Sequence, residues 1–214
     1  FSSLMLAHGH GDGLVTGATR KSAYLLELVN HVFDADAKHG AVGVTALLHK
    51  GRIVLMADTL VHEWPDEHDL ATIAERGADV ARHLGIEPRV AFVSFSTFGY
   101  PVSERAEKMH LAPNVLKERG VDFEYEGEMT VDVALNAKSA EQYPFSRLTG
   151  PANILVVPAR HSASISVKLM QELAGATVIG PILSGIDKSI QICSTNSTAN
   201  DILNMAVLAS CKVG

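Results

Sequence analysis

The segment ANILVVPARHSASISVKLMQEL, residues 152–173, decides the fold class. Its first part contains the apolar run 154–157, which is typical of a buried strand. Its second part, 162–173, carries apolar residues at helical spacing, and a short hydroxyl-rich loop joins the two. A buried strand that leads through a loop into an amphipathic helix is the building unit of α/β proteins with parallel sheets.

The same order of strand, loop and helix recurs along the chain. Further strands are predicted at 4–7, 89–95, 122–125, 177–179 and 190–193, and helices at 18–32, 66–84, 102–119 and about 199–210. Pro113 should kink or split the third of these helices. Residues 42–48 and 53–57 flank a short connection that contains glycine, which predicts an antiparallel hairpin. We therefore predict an α/β fold with mostly parallel sheets flanked by helices, and a ligand cleft at the carboxyl ends of the strands.

Composition excludes several classes of function. The chain has 214 residues, of which 47% are hydrophobic and 20% charged, as expected for a soluble globular protein. It has neither an apolar run of about 20 residues nor a secretory leader, so we expect no membrane segment. Only two cysteines occur, in a predicted strand and a predicted helix, which favours a reducing, cytoplasmic location. A net charge of -6 without a basic stripe argues against nucleic-acid binding.

Two histidine-rich segments are candidate metal sites. In AHGHGDG, residues 7–13, His8, His10 and Asp12 stand at alternate positions, but a sharp glycine turn explains the segment without a metal. HEWPDEH, residues 62–68, lacks the helical HExxH order, and its proline followed by acidic residues is typical of a helix start. No second ligand cluster supports either segment, so we predict no metal site.

Hydroxyl groups and an arginine gather in DGLVTGATR, residues 12–20. If a helix begins there, its free N–H groups, Thr16 and the charge of Arg20 on the first turn could hold phosphate. A well-capped helix without any ligand explains these nine residues equally well.

Two polar loops follow predicted strands, SFSTFG at 94–99 and PARHSAS at 158–164. Loops at the carboxyl ends of parallel strands share one edge of the sheet, so we expect them to line one cleft, although each serine could instead cap a helix. A hydrolase nucleophile is not supported, because no GxSxG motif occurs. Gly9, Gly11 and Gly13 do not have the spacing of a dinucleotide fingerprint, so NAD binding is not supported either.

A third polar run, STNST at 194–198, lies between a predicted strand and the last helix. Thr198 and Asp201 have the spacing of a capping box, which would begin that helix. The run could be a ligand loop, a helix start, or both.

Five motifs occur in the order known from one family: DGLVTGATR, EPRVAFVSFSTFG, VDFEYEGEM, GPANILVVPARHSASISVKLMQEL and ATVIGPILSGIDKSIQI. Together they resemble the phosphate acetyl/butyryltransferase family. More narrowly, they resemble the transacetylase-like C-terminal domain of large bacterial NADP-dependent malic enzymes. The similarity runs from about residue 11 to the C-terminus.

The resemblance implies a two-domain phosphotransacetylase-like fold with its ligand cleft between the domains. Residues 1–40 and 181–214 would form part of the first domain, whose N-terminal portion would be missing, and residues 41–180 would form the inserted second domain. It also implies self-association through this unit and a malic catalytic domain in the same polypeptide. NADP and a divalent metal would be bound only by that other domain.

The family site is altered in this chain. The family motif Asn-Asp-Leu-Ser-Arg-Gly, with an aspartate seven residues after its serine, aligns with QICSTN at 191–196. Ser194 and Asp201 match, whereas Thr195 replaces the arginine. His161, Ala163 and Ser164 likewise depart from the family's Asn-x-Gly-Asn. Loss of the cation that faces the developing oxyanion should raise the barrier by several kcal/mol.

The resemblance therefore implies an acetyl-CoA-sensing regulatory domain of an NADP-dependent malic enzyme, whose parent polypeptide oxidatively decarboxylates malate to pyruvate. The ligand is acetyl-CoA or CoA, and no cofactor is covalently bound. By matching position, the candidate ligand-binding residues are Thr16 and Arg20 for the CoA phosphates, Arg160, His161 and Ser162 nearby, and Ser194 at the thioester. The alternatives are an active phosphate acetyltransferase, which converts acetyl-CoA and phosphate to CoA and acetyl phosphate, and a purely structural dimerisation module.

Overall fold

The computed structural model describes residues 1–33 and 40–211, and only the backbone of residues 104 and 105. In chain order its elements are α1 (Ser2–Ala7), β1 (Gly13–Gly17), α2 (Ser22–Asn30), β2 (Val42–His49), β3 (Arg52–Ala57), α3 (Glu67–His83), β4 (Arg89–Val93), α4 (Glu104–Arg119), β5 (Glu124–Met129), α5 (Val131–Leu135), α6 (Ala137–Ala140), β6 (Ile154–Val156), α7 (Arg160–Ala174), β7 (Thr177–Ser184), β8 (Ser189–Cys193) and α8 (Ala199–Ser210).

The strands form two sheets. The large sheet has the order β5-β4-β6-β3-β2-β7, and its first four strands are parallel. Strand β2 runs antiparallel to both of its neighbours. The small sheet consists of β1 and β8, which are parallel. The predicted α/β fold with mostly parallel sheets and an antiparallel hairpin is confirmed.

The hairpin turns through two residues, Lys50 and Gly51, which have φ angles of 48° and 74°. Positive φ at both central positions matches the twist of the flanking strands and favours glycine. This turn sets the register in which Leu47 lies opposite Val54 and Ala46 opposite Leu55.

Both faces of the large sheet are covered by helices. On one face, α3 and α4 pack on a cluster that includes the fully buried Leu55, Phe92 and Ile154. On the other face, α5 and α7 cover a second cluster around Met56 and Leu155. Full burial of a side chain of this size stabilises the fold by about 1.5–3 kcal/mol, so the large sheet forms the stable framework of the molecule.

Helix α3 begins and ends as its sequence predicts. Asp66 is its N-cap, and a reciprocal capping box joins Asp66 to Asp69. Gly85, at φ 72°, follows its last turn. Gly77 lets the helix approach the sheet closely, because a Cβ there would lie 3.0 Å from Cγ2 of Ile154.

The N-terminal region differs from its prediction. Residues 4–7 belong to helix α1 and not to a strand, and the strand of this region is β1, inside the segment predicted as a loop. Helix α2 begins at Ser22 and not at residue 18. A four-residue apolar run does not distinguish a strand from a short helix. Here Leu6 packs into a cluster with Ile190 and Ile192 of the small sheet.

Three further predicted elements are corrected. Helix α4 is not split at Pro113, because Met109, Ala112 and Leu116 anchor both halves in the large core. Strand β5 covers Glu124–Met129 where we predicted 122–125. Strand β7 continues to Ser184, because β2 pairs with residues 177–179 and, after a register shift, with residues 182–184.

The two cysteines are free thiols, Cys193 buried at the end of β8 and Cys211 exposed after α8. In the described ranges 1–33 and 40–211, no helix has the length and apolar character needed to cross a membrane.

Candidate functional site

The carboxyl ends of β1 and β8 lie side by side. Thr16 pairs with Ile192 and Gly17 with Cys193, and the Ala18 N–H donates to the Cys193 carbonyl oxygen at 3.4 Å. Ser194 follows directly. The structure therefore brings together Thr16 and Ser194, two of the predicted ligand residues that are far apart in sequence.

Glycine is required at the end of β1. Gly17 has a φ of 124°, and a Cβ at this position would collide with the carbonyl oxygen of Cys193. A side chain would push the two strand ends apart. Gly17 of the segment 12–20, which we interpreted as a phosphate loop, is therefore explained by the close approach of two backbones.

The predicted position of Arg20 on the first turn of a helix is wrong. Arg20 lies in the bend after β1, two residues before α2, and its side chain is exposed. The N-cap is Lys21, which makes no side-chain cap hydrogen bond. The helix begins later because β1 takes up residues that we assigned to the loop.

The polar run after β8 is both a turn and a helix start. Oγ of Ser194 lies 3.2 Å from Oγ of Ser197, and the Ser197 N–H donates to the Ser194 carbonyl oxygen at 3.2 Å. The Thr198 N–H and Oγ1 donate to Oδ2 of Asp201 at 2.7 and 2.8 Å, and the Asp201 N–H donates back to Oγ1 of Thr198 at 3.2 Å. The predicted capping box is confirmed. The carboxylate of Asp201 is therefore engaged in starting α8, while Ser194, Thr195 and Asn196 are exposed.

The buried thiol next to this run is not activated. Burial raises the pKa of Cys193, and the negative charge of Asp201 raises it further. The thiol stays protonated near neutral pH, so the group that this strand end offers to a ligand is the Ser194 hydroxyl.

A second group of predicted residues lies at the carboxyl ends of β4 and β6, which are neighbours in the large sheet. The loops that follow these strands line one cleft of about 710 Å³, as we predicted from their polar sequences. Its lining residues are Trp64, Pro65, Ser94, Phe95, Lys108, Pro158, Ala159, His161 and Ser162. The volume is in the range of small-molecule sites, about 300–1,000 Å³.

Helix α7 begins at this cleft with Arg160, His161 and Ser162. Nη1 of Arg160 donates to the Leu60 carbonyl oxygen at 3.2 Å, and its Nη2 lies 3.8 Å from Oε2 of Glu63. The Arg160 side chain is 40% exposed, so its guanidinium group remains accessible to an anion.

The turn that holds Arg160 is built around Asp58, which is 2% exposed and follows β3 directly. Its carboxylate accepts from the N–H groups of Gly43, Leu60, Val61 and His62. Nδ1 of His62 also lies 2.8 Å from Oδ2 of Asp58. This hydrogen bond raises the pKa of His62, against the opposing effect of burial.

The same turn connects the two groups of candidate residues. Leu60 and Val61 pack against the apolar cluster that contains Ile190 and Ile192 of the small sheet. The Leu60 carbonyl oxygen accepts from Nη1 of Arg160, and the His62 carbonyl oxygen accepts from the Arg160 N–H. In the described part of the chain, no hydrogen bond joins Ser194 directly to Arg160. The Asp58 turn therefore connects the ends of the two sheets.

A second buried carboxylate organises the loop after β4. Glu128 is fully buried and accepts hydrogen bonds of 2.8 Å from Oγ of Ser96, the N–H of Gly99 and Nδ1 of His110. Burial acts to raise its pKa, but these hydrogen bonds outweigh burial and lower the pKa. Because Glu128 lies between Ser96 and His110, the imidazole cannot take the serine proton. Ser96 thus positions the loop and is not an activated nucleophile.

Sequence reasoning missed three residues of this region: Asp58, Trp64 and Glu128. Asp58 carried a weak signal, since it is the first residue after a predicted strand. Trp64 is the single tryptophan of the chain, inside a segment that we considered only as a metal site and helix start. Glu128 carried no clear signal, because its partners come from two other elements.

The histidines near the N-terminus do not converge on a metal site. His8 and His10 are exposed in the turn between α1 and β1, as is Asp12. Across the described residues, no group of three or more histidine, cysteine, aspartate or glutamate side chains is placed to hold a metal ion.

Comparison with known proteins adds a family. The sequence pattern of the phosphate acetyl/butaryl transferase family matches residues 1–210. The chain is 51% identical over 214 residues to an NADP-dependent malic enzyme of Rhizobium meliloti, and it spans 28% of that protein's length. It is 31% identical over 99% of its own length to the phosphate acetyltransferase of Bacillus subtilis, of which it spans 66%. A phosphotransacetylase structure from Streptococcus pyogenes superimposes with a TM-score of 0.92 at 27% identity, covering 99% of this chain and 65% of that one.

Proposed function

The chain belongs to the phosphate acetyl/butaryl transferase family, and we propose that it is the transacetylase-like part of an NADP-dependent malic enzyme that binds acetyl-CoA as a regulatory ligand. The identity of 51% to a malic enzyme, compared with 31% to a phosphate acetyltransferase, supports the first half of this proposal. The chemistry of the residues around Ser194 supports the claim that acetyl-CoA is bound as a regulatory ligand.

The observation that carries the proposal is the neutral run at the end of β8. Acetyl transfer develops negative charge on the thioester oxygen, and a cation next to the serine would stabilise it. Thr195 stands where the family resemblance implies that arginine, and Asp201 is occupied in the capping box. Such a site can hold a thioester through hydroxyl groups but lacks the charge that lowers the barrier.

The proposed ligand lies along the carboxyl ends of both sheets. Thr16 and Arg20 would bind the CoA phosphates, and Ser194 would face the thioester. Arg160, His161 and Ser162, at the start of α7, would lie near the ligand. We retain the division into a first domain of 1–40 and 181–214 and an inserted domain of 41–180. The separate sheet of β1 and β8 supports two units, but the boundary at 180/181 falls within β7, which pairs with β2 up to Ser184, and residues 34–39 and 212–214 lie outside the described residues.

Regulation would act on the rest of the polypeptide. The parent enzyme would decarboxylate malate to pyruvate, with NADP and a divalent metal bound outside this chain. Acetyl-CoA can inhibit that reaction only if it binds one arrangement of the domains more tightly than another. Self-association through this chain would transmit the preference from one subunit to the next.

Calorimetry with acetyl-CoA and an assay for acetyl phosphate, made on the same preparation, test the proposal. We expect binding without turnover. As a matched variant, Thr195→Arg restores the cation and should produce acetyl phosphate if the missing charge is the reason for inactivity. In the full malic polypeptide, acetyl-CoA should slow malate-dependent NADP reduction.

The second candidate function is an active phosphate acetyltransferase, favoured by the exposed Ser194 at a strand end. Turnover by the unmodified chain at about 1–10³ per second would establish it and overturn the regulatory proposal. The third candidate, a dimerisation module, would be preferred if calorimetry detected no binding of acetyl-CoA.

A further inference from the structure

The single tryptophan of the chain is exposed in the cleft at the ends of β4 and β6. Trp64 is 74% exposed, although tryptophan side chains are usually buried for most of their surface. Leaving an indole ring in water forgoes a large hydrophobic stabilisation. Its position in a cleft of about 710 Å³ therefore points to a ligand rather than to the core.

The ring of Trp64 is held by rigid neighbours. Its centroid lies 5.2 Å from that of His161, with the planes tilted by 54°. Pro65 and the N-cap Asp66 follow immediately, so the backbone next to the indole is fixed by the capped start of α3. His161 belongs to the first turn of α7. A platform between two helix starts can bind a flat group with little loss of side-chain freedom.

The charges around this platform suit a phosphorylated ligand. Among the residues that line the cleft, Lys108 carries a positive charge and none is a carboxylate. The partly exposed guanidinium of Arg160 lies next to His161 in sequence at the same helix start. Phe95, 60% exposed, contributes a second aromatic side chain to the lining. An aromatic face with neighbouring cations is how proteins commonly bind the base and phosphates of a nucleotide.

We propose that Trp64 is the stacking platform for the adenine ring of acetyl-CoA. The proposal rests on the proposed function, because acetyl-CoA is the ligand that would bring an adenine nucleotide to this cleft. It adds the position of the base: the adenine ring lies at the start of α7 on the large sheet, while the phosphates extend to Thr16 and Arg20 and the acetyl end extends to Ser194 at the small sheet.

The test uses Trp64 as its own reporter, since no other tryptophan contributes to the emission. The full chain is titrated with acetyl-CoA, with 3′,5′-ADP, which lacks the pantetheine and acetyl groups, and with S-acetylpantetheine, which lacks the nucleotide. Acetyl-CoA and 3′,5′-ADP should quench the emission, and S-acetylpantetheine should not.

Variants separate stacking from folding. Trp64→Leu should weaken the binding of acetyl-CoA and of 3′,5′-ADP about 10-fold by calorimetry, which corresponds to about 1.4 kcal/mol. Trp64→Phe should restore most of the affinity, because it keeps an aromatic face. Tyr100→Leu is the matched control, since Tyr100 is 81% exposed and does not line the cleft. Circular dichroism verifies that each variant is folded.

The outcomes distinguish this inference from the proposed function. If acetyl-CoA binds by calorimetry while the emission stays constant and Trp64→Leu binds equally well, the stacking proposal is overturned and the regulatory proposal stands. If acetyl-CoA binds and quenches the emission but is turned over to acetyl phosphate, the platform stands and the regulatory proposal is wrong. If acetyl-CoA does not bind, both proposals are overturned. If neither nucleotide changes the emission, the platform is refuted.

Discussion

Nδ1 of His62 lies 2.8 Å from Oδ2 of Asp58, and this contact closes the turn whose carbonyl oxygens hold Arg160. The hydrogen bond raises the pKa of His62 above 6.5. The stabilisation that follows is fully present below pH 6.5, where His62 is protonated in both the folded and the unfolded chain. It is lost as the pH rises through the folded-state pKa.

We therefore expect the free energy of unfolding to contain a component that falls as the pH rises above 6.5. Urea unfolding across this pH range measures it. His62→Asn is the matched variant, because its amide can still donate to Asp58 but does not titrate. The difference between the wild type and this variant should depend on pH in the stated direction. A difference that is constant with pH would mean that the contact is not sensitive to protonation.

Because the carboxylate of Glu128 is buried, we expect even the conservative substitution Glu128→Gln to lower the free energy of unfolding. Glu128→Gln keeps one carbonyl oxygen and replaces the other oxygen with an NH₂ group, so either Ser96 and Gly99 on Oε1 or His110 on Oε2 loses its acceptor. A buried donor left without its acceptor costs about 1–3 kcal/mol. We expect that loss in the free energy of unfolding measured with urea.

The control for this variant is Glu107→Gln on the exposed surface of α4, which should change stability by no more than about 0.5 kcal/mol. Because the pKa of Glu128 is lowered from 4.5, its stabilisation is present above pH 4.5 and lost as the pH falls through the folded-state pKa. The cost of Glu128→Gln should therefore shrink in acid. Equal costs for both variants would contradict the assigned network.

The capping box of α8 can be tested separately from ligand binding. Thr198→Ala removes the hydroxyl that accepts from the Asp201 N–H and should lower the free energy of unfolding by about 1 kcal/mol. Thr195→Ala, in the same exposed run but outside the box, should change it by less than about 0.5 kcal/mol. Thermal or urea unfolding of both variants provides the comparison. A smaller loss for Thr198→Ala than for Thr195→Ala would refute the structural role.

The sequence pattern predicted those helices and strands whose apolar spacing and capping residues lie within the element itself. The strand and helix of 152–173, the hairpin and the capped helices α3 and α8 were predicted within a few residues. Strand β1 was not predicted, because its five residues become a strand only by pairing with β8 from the other end of the chain.

The candidate site shows the same division. The polar loops after β4 and β6 were expected to line one cleft, because parallel strands place their carboxyl ends at one edge. Asp58 and Glu128 were not recognised, since their importance lies in donors supplied by distant segments. A buried carboxylate can be recognised only from the groups that donate hydrogen bonds to it. Residue spacing within one segment does not reveal donors that come from other segments.

Arg20 provides the sharpest test of where the phosphates of acetyl-CoA bind. Its side chain is exposed, and within the described residues it forms no ion pair, so Arg20→Ala should leave the fold intact. A charge-assisted hydrogen bond contributes about 1.5–3 kcal/mol, so its loss should weaken acetyl-CoA binding about 10- to 100-fold by calorimetry.

Lys21→Ala is the matched control: it removes the same unit charge from the neighbouring position, which makes no side-chain cap hydrogen bond. If Arg20 acts only by long-range attraction, the two variants should lose the same affinity for acetyl-CoA, and the loss should depend strongly on salt concentration. If Arg20 contacts a phosphate directly, only Arg20→Ala should bind acetyl-CoA weakly. If both variants bind acetyl-CoA as the wild type does, the phosphates lie elsewhere, and Lys108 and Arg160 become the cations to test.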